Sequence, residues 1–293
     1  MRKFTNILKK IKSHPAFFLV PSLAGMLVFF VIPYIIMVYY SFLDNPIRKE
    51  FIGFENYKTV LTNRAFQTAV NNTFLFTVFA VPMAVILGLL LALLLDQKIP
   101  GKSFFRSSML TPLMVPTASV VLIFQVLFDY NGVVNKYIEA HGLERVDFLK
   151  SSYGMIVVVI LFLWKNLGYI MVLFLAALGN VPEDGLEVAR LEGANVWQVF
   201  WYVKIRYLSP TIVFTTMLSM INSFKIFREI YLLTGEYPFG AMYMLQHYMN
   251  NTFASADYQK LSTAAVYMSL VMVVIIGLLL FAEYHFGRDF EES

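Results

Sequence analysis

Apolar residues along this chain gather in six long runs separated by short polar segments, at about 16–42, 73–96, 107–129, 153–178, 209–234 and 261–286. A helix needs about 20 apolar residues to cross a bilayer core, and each run reaches that length. The third and fourth are interrupted by polar residues yet still read as spans. Pro33, Pro82, Pro112 and Pro116 fall within runs, a placement membrane helices tolerate when neighbours satisfy the freed carbonyls. The pattern predicts an all-α membrane protein with six transmembrane helices. Its organisation would be a basic segment at 1–15, a six-helix domain at 16–286 and a short tail at 287–293. The first run is too long for a cleavable signal and reads as a retained anchor.

The segments between runs add detail. In 43–72, Phe54, Tyr57, Val60 and Leu61 recur at helical spacing, which predicts a short interfacial helix. In 235–260 the GEYPFG stretch supplies a turn. The 179–208 segment is different, because it is charged and helix-forming. Asn180 is placed to cap a first helix, with Pro182, Glu183 and Asp184 in its opening turn. That helix would run to about Glu192. Gly193 then allows a turn, and Asn195 can cap a second helix. Along it Val196, Val199, Phe200 and Val203 form an apolar stripe. A headgroup-binding helix should be rich in Lys and Arg. This elbow sets Glu183, Asp184, Glu187 and Glu192 against Arg190, Lys204 and Arg206. Its composition favours a surface for another protein over one for lipid.

Composition supports the membrane reading. Hydrophobic residues make up 58% of the 293 and charged ones only 14%, against roughly 25% charged in soluble domains. The net charge of +4 is too small and scattered for a nucleic-acid footprint. It concentrates instead at Arg2, Lys3, Lys9, Lys10 and Lys12, and again at Lys98, Lys102 and Arg106, neither group containing an acid. The positive-inside rule then places both termini and the 179–208 elbow in the cytoplasm. No cysteine is present, which excludes disulfides and thiolate metal sites. His14, His141, His247 and His285 lie far apart, without metal-ligand spacing. DQKIPGKS, Asp96 to Ser103, ends like a phosphate-binding loop but lacks its first glycine, contains Pro100 and follows a membrane span. It reads as a basic turn. The chain carries no catalytic constellation of its own.

The elbow residues Glu187, Val188 and Ala189, then Glu192, Gly193 and Ala194, then Phe200, Val203 and Pro210 resemble the EAA loop of permease subunits of bacterial binding-protein-dependent ABC importers. Val188 departs from the second motif alanine, and Ile205-Arg206 stands where Leu-Pro is usual, which leaves the end of the second elbow helix open. PSLAGMLVFFVIPYIIMVYYSF (21–42), GFENYKTVL (53–61) and SFKIFREIYLLTG (223–235) are similar to the sugar-importer branch, and to its maltose-type first permease. The resemblance implies the type I importer fold and a bacterial inner-membrane location. It implies a second homologous permease, two ATPase subunits, an extracytoplasmic solute-binding protein and a carbohydrate substrate. ATP and Mg would belong to the ATPase, with no cofactor on this chain. The elbow would sit in a cleft of that ATPase. Glu187 would pair with a basic group there, Gly193 would form the turn, and Ala189 and Ala194 would permit close approach, with Glu192 and Phe200 completing the coupling set.

Ionisable groups inside spans are functional candidates by default. Sugars are gripped by aromatic faces and hydroxyl-pairing groups, so Trp164, Lys165, Asn166, Asn222, Ser223, Phe224 and Lys225 are the candidate path residues. Lys225 and Glu229 stand four apart and are expected to pair, while Arg228 is expected to snorkel outward. The alternative function is an ion-coupled secondary transporter working alone. That class should show inverted repeats and acids at the midplane, and neither is evident.

Overall fold

The computed structural model describes residues 15–45, 47–97 and 99–287. The basic residues Arg2, Lys3, Lys9, Lys10, Lys12 and Lys98, and the tail from 288, lie outside the described residues. Helix follows helix, and among the described residues the only strand-like pairing is an isolated antiparallel bridge between Leu43 and Phe51. Two compact units are present. One comprises the chain up to Asn63 with Thr252–Leu270, the other Arg64–Asn251 with the residues from Val271 on.

In the first unit, α1 (Pro15–Met26) passes through a π-helical turn, Leu27–Val31, into α2 (Ile32–Tyr40). Pro33 sits in the first turn of α2, where its missing N–H interrupts the hydrogen-bond ladder and the wider turn just upstream absorbs the break. Phe29 and Phe30 are more than 70% exposed, the surface of a helix whose solvent is lipid. The expected short helix is α3 (Glu55–Thr62). Asn56 fixes it by donating to the carbonyls of Ser41 and Leu43 at 3.0 and 2.8 Å, while the ring of Phe42 packs against those of Phe51, Phe54 and Tyr57.

The second unit is built on α4 (Arg64–Asp96) and α8 (Gly154–Leu178). Hydrophobic burial does not drive helices together in lipid, so close backbone approach has to supply the packing. Ala80, Ala84, Gly88 and Ala92 recur every fourth residue on α4, and the three alanines are fully buried. A methyl group at Gly88 would overlap Ile170 of α8. Phe76 and Phe162 meet edge to face at 5.4 Å. A short helix, α5 (Lys102–Met114), packs on α8 at Gly168, where any side chain would overlap the Met109 carbonyl oxygen. α6 (Thr117–Phe128) and α7 (Val133–Ala140) follow.

Two of the six expected spans differ from the sequence pattern. The third, 107–129, is broken between α5 and α6, because Val115 precedes Pro116 and takes an extended conformation, φ −79° and ψ 131°. The fifth, 209–234, lies on two helices, α11 (Ile205–Lys225) and α12 (Phe227–Thr234), which meet at Ile226. The stretches long and apolar enough to cross a membrane are Leu19–Tyr40, Arg64–Asp96, Thr117–Ala140, Gly154–Leu178 and Tyr258–Tyr284. α11 is long enough but too polar to join them. The last of the five lies on α14 (Tyr258–Gly287), which follows α13 (Leu245–Ala254).

Candidate functional site

The elbow is built by local chemistry. Its first helix, α9 (Glu183–Leu191), carries Glu183 and Asp184 in its first turn and Arg190 in its last, each complementing the helix dipole. The expected Asn180 cap is not used. Pro182 occupies the N-cap position, extended at ψ 130°, and no side chain caps the helix. At the other end the N–H of Gly193 donates to Arg190 O at 3.0 Å and that of Ala194 to Ala189 O at 2.9 Å. Gly193 has φ +83°. This is a Schellman ending, and its left-handed residue is a glycine because other residues are strained there.

One residue later Asn195 opens the second helix with a reciprocal capping box. Its side chain accepts from the Gln198 N–H at 2.9 Å, and the Gln198 side chain accepts from the Asn195 N–H at 2.8 Å. α10 (Val196–Gln198) leads through a π-helical turn, Val199–Lys204, straight into α11. The second elbow helix therefore has no end of its own. Ile205 and Arg206 keep backbone N–H groups where the motif proline would remove one, and Pro210 is carried inside α11.

The π turn also corrects the expected apolar stripe. It alters the helical period between Val199 and Val203, while at the start of the stripe Val196 is 85% exposed and Val199 is buried. Val199 and Phe200, with Trp197, line a groove of about 480 Å³ closed against Leu90 and Leu93 of α4. Lys204 bridges to Asp96 at its edge, 3.4 Å away. Outward, the elbow exposes Leu191 at 88% and Trp197 at 72%. Glu187 and Glu192 are exposed on the same element, and Ala189 and Ala194 are half-buried.

A second constellation lies where α8, α11 and α12 meet. Lys165, Asn166, Asn222 and Lys225 line one cavity of about 190 Å³, together with Tyr169, Arg228 and Glu229. Asn222 organises it, donating to Asn166 Oδ1 at 3.1 Å and to the Tyr169 hydroxyl at 2.9 Å. Asn166 donates in turn to the Phe162 carbonyl at 2.6 Å. Lys165 and Glu229 form an ion pair across α8 and α12, and Lys165 also reaches Thr117 Oγ1 at 3.4 Å.

One expectation is overturned here. Glu229 pairs with Lys165, not with Lys225, because Lys165 approaches from the neighbouring helix. Arg228 is exposed, as the snorkelling expectation requires, and it also lines the cavity. Three candidate path residues stand outside the lining. Trp164 packs on Phe124 at 6.0 Å. Ser223 is buried, shared between the Met220 carbonyl at 2.7 Å and Thr77 Oγ1 at 3.0 Å. Phe224 is half-buried beside it. Tyr169 was missed by residue type alone, although it stands three and four residues from Asn166 and Lys165 on the same face of α8.

Behind α12 sits His247, fully buried, its ring edge against Phe227 at 4.6 Å. Burial pushes its pKa down to about 4. The neutral ring accepts the Met244 N–H at 3.2 Å through Nδ1.

Residues 62–288 match the family described as the inner membrane component of binding-protein-dependent transport systems. The chain belongs to that family. Its similarity to individual members is broad. It is 28% identical over 279 residues to the multiple sugar-binding transport system permease protein MsmF of Streptococcus mutans, covering 94% of this chain and 95% of that one. It is 27% identical over 294 residues to the trehalose/maltose transport system permease protein MalF of Thermococcus litoralis, covering 97% and 99%. The fold matches a chain in the crystal structure of a bacterial alginate ABC transporter bound to its alginate-loaded periplasmic protein. The TM-score is 0.82 at 20% identity, over 96% of this chain and 98% of that one. Family membership makes this chain an ABC-type permease component of the membrane, and the lone secondary transporter gives way.

Proposed function

We propose that this permease is one half of the translocation path of an ATP-driven carbohydrate importer and that it couples to a separate ATPase through the 180–208 elbow. The observation that carries the reading is the construction of that elbow. A Schellman turn and a capping box, one residue apart, present an acidic face together with exposed Leu191 and Trp197. Glu187 is free to meet a cation of the ATPase, and Ala189 and Ala194 leave room for close approach. Glu192 and Phe200 flank the joint. Carbohydrate is favoured by the sugar-transport roles named for the relatives in Streptococcus mutans and Thermococcus litoralis and by the amide and phenol groups of the cavity, which suit sugar hydroxyls.

Transmission follows from continuity. Residues 196–225 run as one helical rod about 45 Å long, with the elbow at one end and Asn222 and Lys225 of the cavity at the other. A push at the elbow therefore moves the cavity wall. The second permease, paired ATPases holding ATP and Mg, and a solute-binding protein on the opposite side complete the machine, with both termini and the elbow cytoplasmic.

The test is mild-detergent purification of the chain from its native membrane with mass spectrometry of what accompanies it, beside the Glu187→Ala and Gly193→Pro variants. An ATPase and a second permease should accompany the native chain, and the ATPase should be lost from the variants. A chain that purifies alone and still transports refutes the reading.

A further inference from the structure

The charge of the cavity exceeds what its internal pairing consumes. Its lining holds three cations, Lys165, Lys225 and Arg228, and one acid, Glu229. Glu229 is taken by Lys165. Lys225 and Arg228 form no ion pair among the described residues, although they stand within the fifth apolar run, where unpaired charge is costly and marks a functional site. Both are exposed, so their donors are open to an incoming group. Two unpaired cations share one cavity with the amides of Asn166 and Asn222 and the phenol of Tyr169. The amides and the phenol can bond hydroxyls, and the cations need an anion. The volume, about 190 Å³, equals about six waters, enough for a single sugar ring with its substituent.

Resting on the permease reading above, we infer that this cavity selects an acidic carbohydrate, holding the anionic substituent of one sugar unit between Lys225 and Arg228 while Asn222 and Tyr169 bond its hydroxyls. Arg228 presents a planar fork suited to two oxygens at once, and Lys225 adds a point charge. Carboxylate and phosphate share that chemistry. Glu229 has a further role as the group that keeps Lys165 from competing for the anion.

The test uses the complete transporter, this permease with its second permease and ATPase, purified together and checked for ATP hydrolysis. Binding of trigalacturonate, maltotriose and galactose 1-phosphate is measured by isothermal titration at low and high salt, for the natural complex and for K225Q/R228Q. An acidic probe should bind at least tenfold more tightly than maltotriose at low salt. That preference should shrink to within about twofold in the double variant, and it should weaken as salt rises. Trigalacturonate ahead of galactose 1-phosphate assigns the anion as a uronate, and the reverse order as a phosphate. Equal binding of acidic and neutral probes, binding of maltotriose alone, or no binding by an intact hydrolysing complex overturns the inference. So does a preference that survives K225Q/R228Q. Loss of the second permease from that variant also overturns it, because the two cations would then pair with an acid of the partner subunit. Failure of the natural chain to assemble with an ATPase strikes the permease reading instead.

Discussion

Removing the charge of Glu229 while keeping its shape tests whether the ion pair with Lys165 holds α8 against α12. The side chains of Lys165 and Glu229 are 20% and 10% exposed, so Glu229→Gln leaves an ammonium with little water and one remaining partner, Thr117 Oγ1 at 3.4 Å. Breaking a fully buried pair costs about 3–5 kcal/mol. Residual exposure and the threonine contact reduce this, and about 2–3 kcal/mol is expected. For a chain of this size that corresponds to a fall in Tm of roughly 3–5 °C. Lys165→Met should cost a similar amount, by leaving the carboxylate alone. The double variant Lys165→Met/Glu229→Leu should recover most of the loss, since an apolar pair of similar volume is close to neutral. Thermal unfolding in detergent, followed by near-UV circular dichroism, reads these proteins, and Glu229→Leu as the second single variant closes a double-mutant cycle with Lys165→Met. Additive losses in the double variant, or a Glu229→Gln protein as stable as the original, would refute the claim that these two residues are coupled.

Three further outcomes can be checked. Gly168→Ala places a methyl group against the Met109 carbonyl oxygen and should cost about 2 kcal/mol or more, because overpacking here meets backbone and not a flexible side chain; an unchanged Tm would mean that α5 does not pack on α8 as described. Asn195→Ala removes the elbow's capping box and should cost about 1 kcal/mol, seen as faster protease cleavage within 180–208. His247 has a folded pKa of about 4 against 6.5 ordinarily, so above pH 6.5 it is neutral in both states and contributes no pH dependence. Below that, the unfolded chain takes up a proton that the folded chain refuses, and about 2 kcal/mol should be lost between pH 7.5 and 5. His247→Gln should flatten that slope, and an equal slope in both proteins would show that other groups cause it.

Much of this was legible in the sequence because membrane helices announce themselves by run length. Where the pattern failed, a backbone effect was responsible. Pro116 forces Val115 out of helix and splits the third run, and hydropathy alone counts Val115 as one more apolar residue. The stripe from Val196 to Val203 assumed a uniform 3.6-residue period, and the π turn at Val199–Lys204 breaks it. The elbow's turn was readable at Gly193 and Asn195, since both act on immediate neighbours. In the cavity, Lys165, Asn166, Asn222 and Lys225 could be singled out because polar groups in apolar runs are conspicuous. The partner of Glu229 could not be read, because a one-dimensional pattern offers Lys225 four residues away and hides Lys165, which is 64 positions off in sequence.

The placement of the π turn follows the same logic at the level of mechanism. In the proposed mechanism, a rod that transmits motion from the elbow to Asn222 must be stiff along its length, yet its elbow end has to fit against α4 while its far end lines the cavity. The wider turn lies between these tasks, and Lys204 at its close is tethered to Asp96 of α4. Beyond it, α11 runs unbroken to Lys225, carrying Pro210 without stopping. The departure of Ile205 and Arg206 from the motif's Leu-Pro thus has a structural consequence. A proline at Arg206 would remove an N–H just after the π turn and loosen the rod where the elbow joins it. Retaining both N–H groups makes the elbow's second helix and the cavity wall parts of one continuous helix, so the two candidate functional surfaces are joined by its backbone.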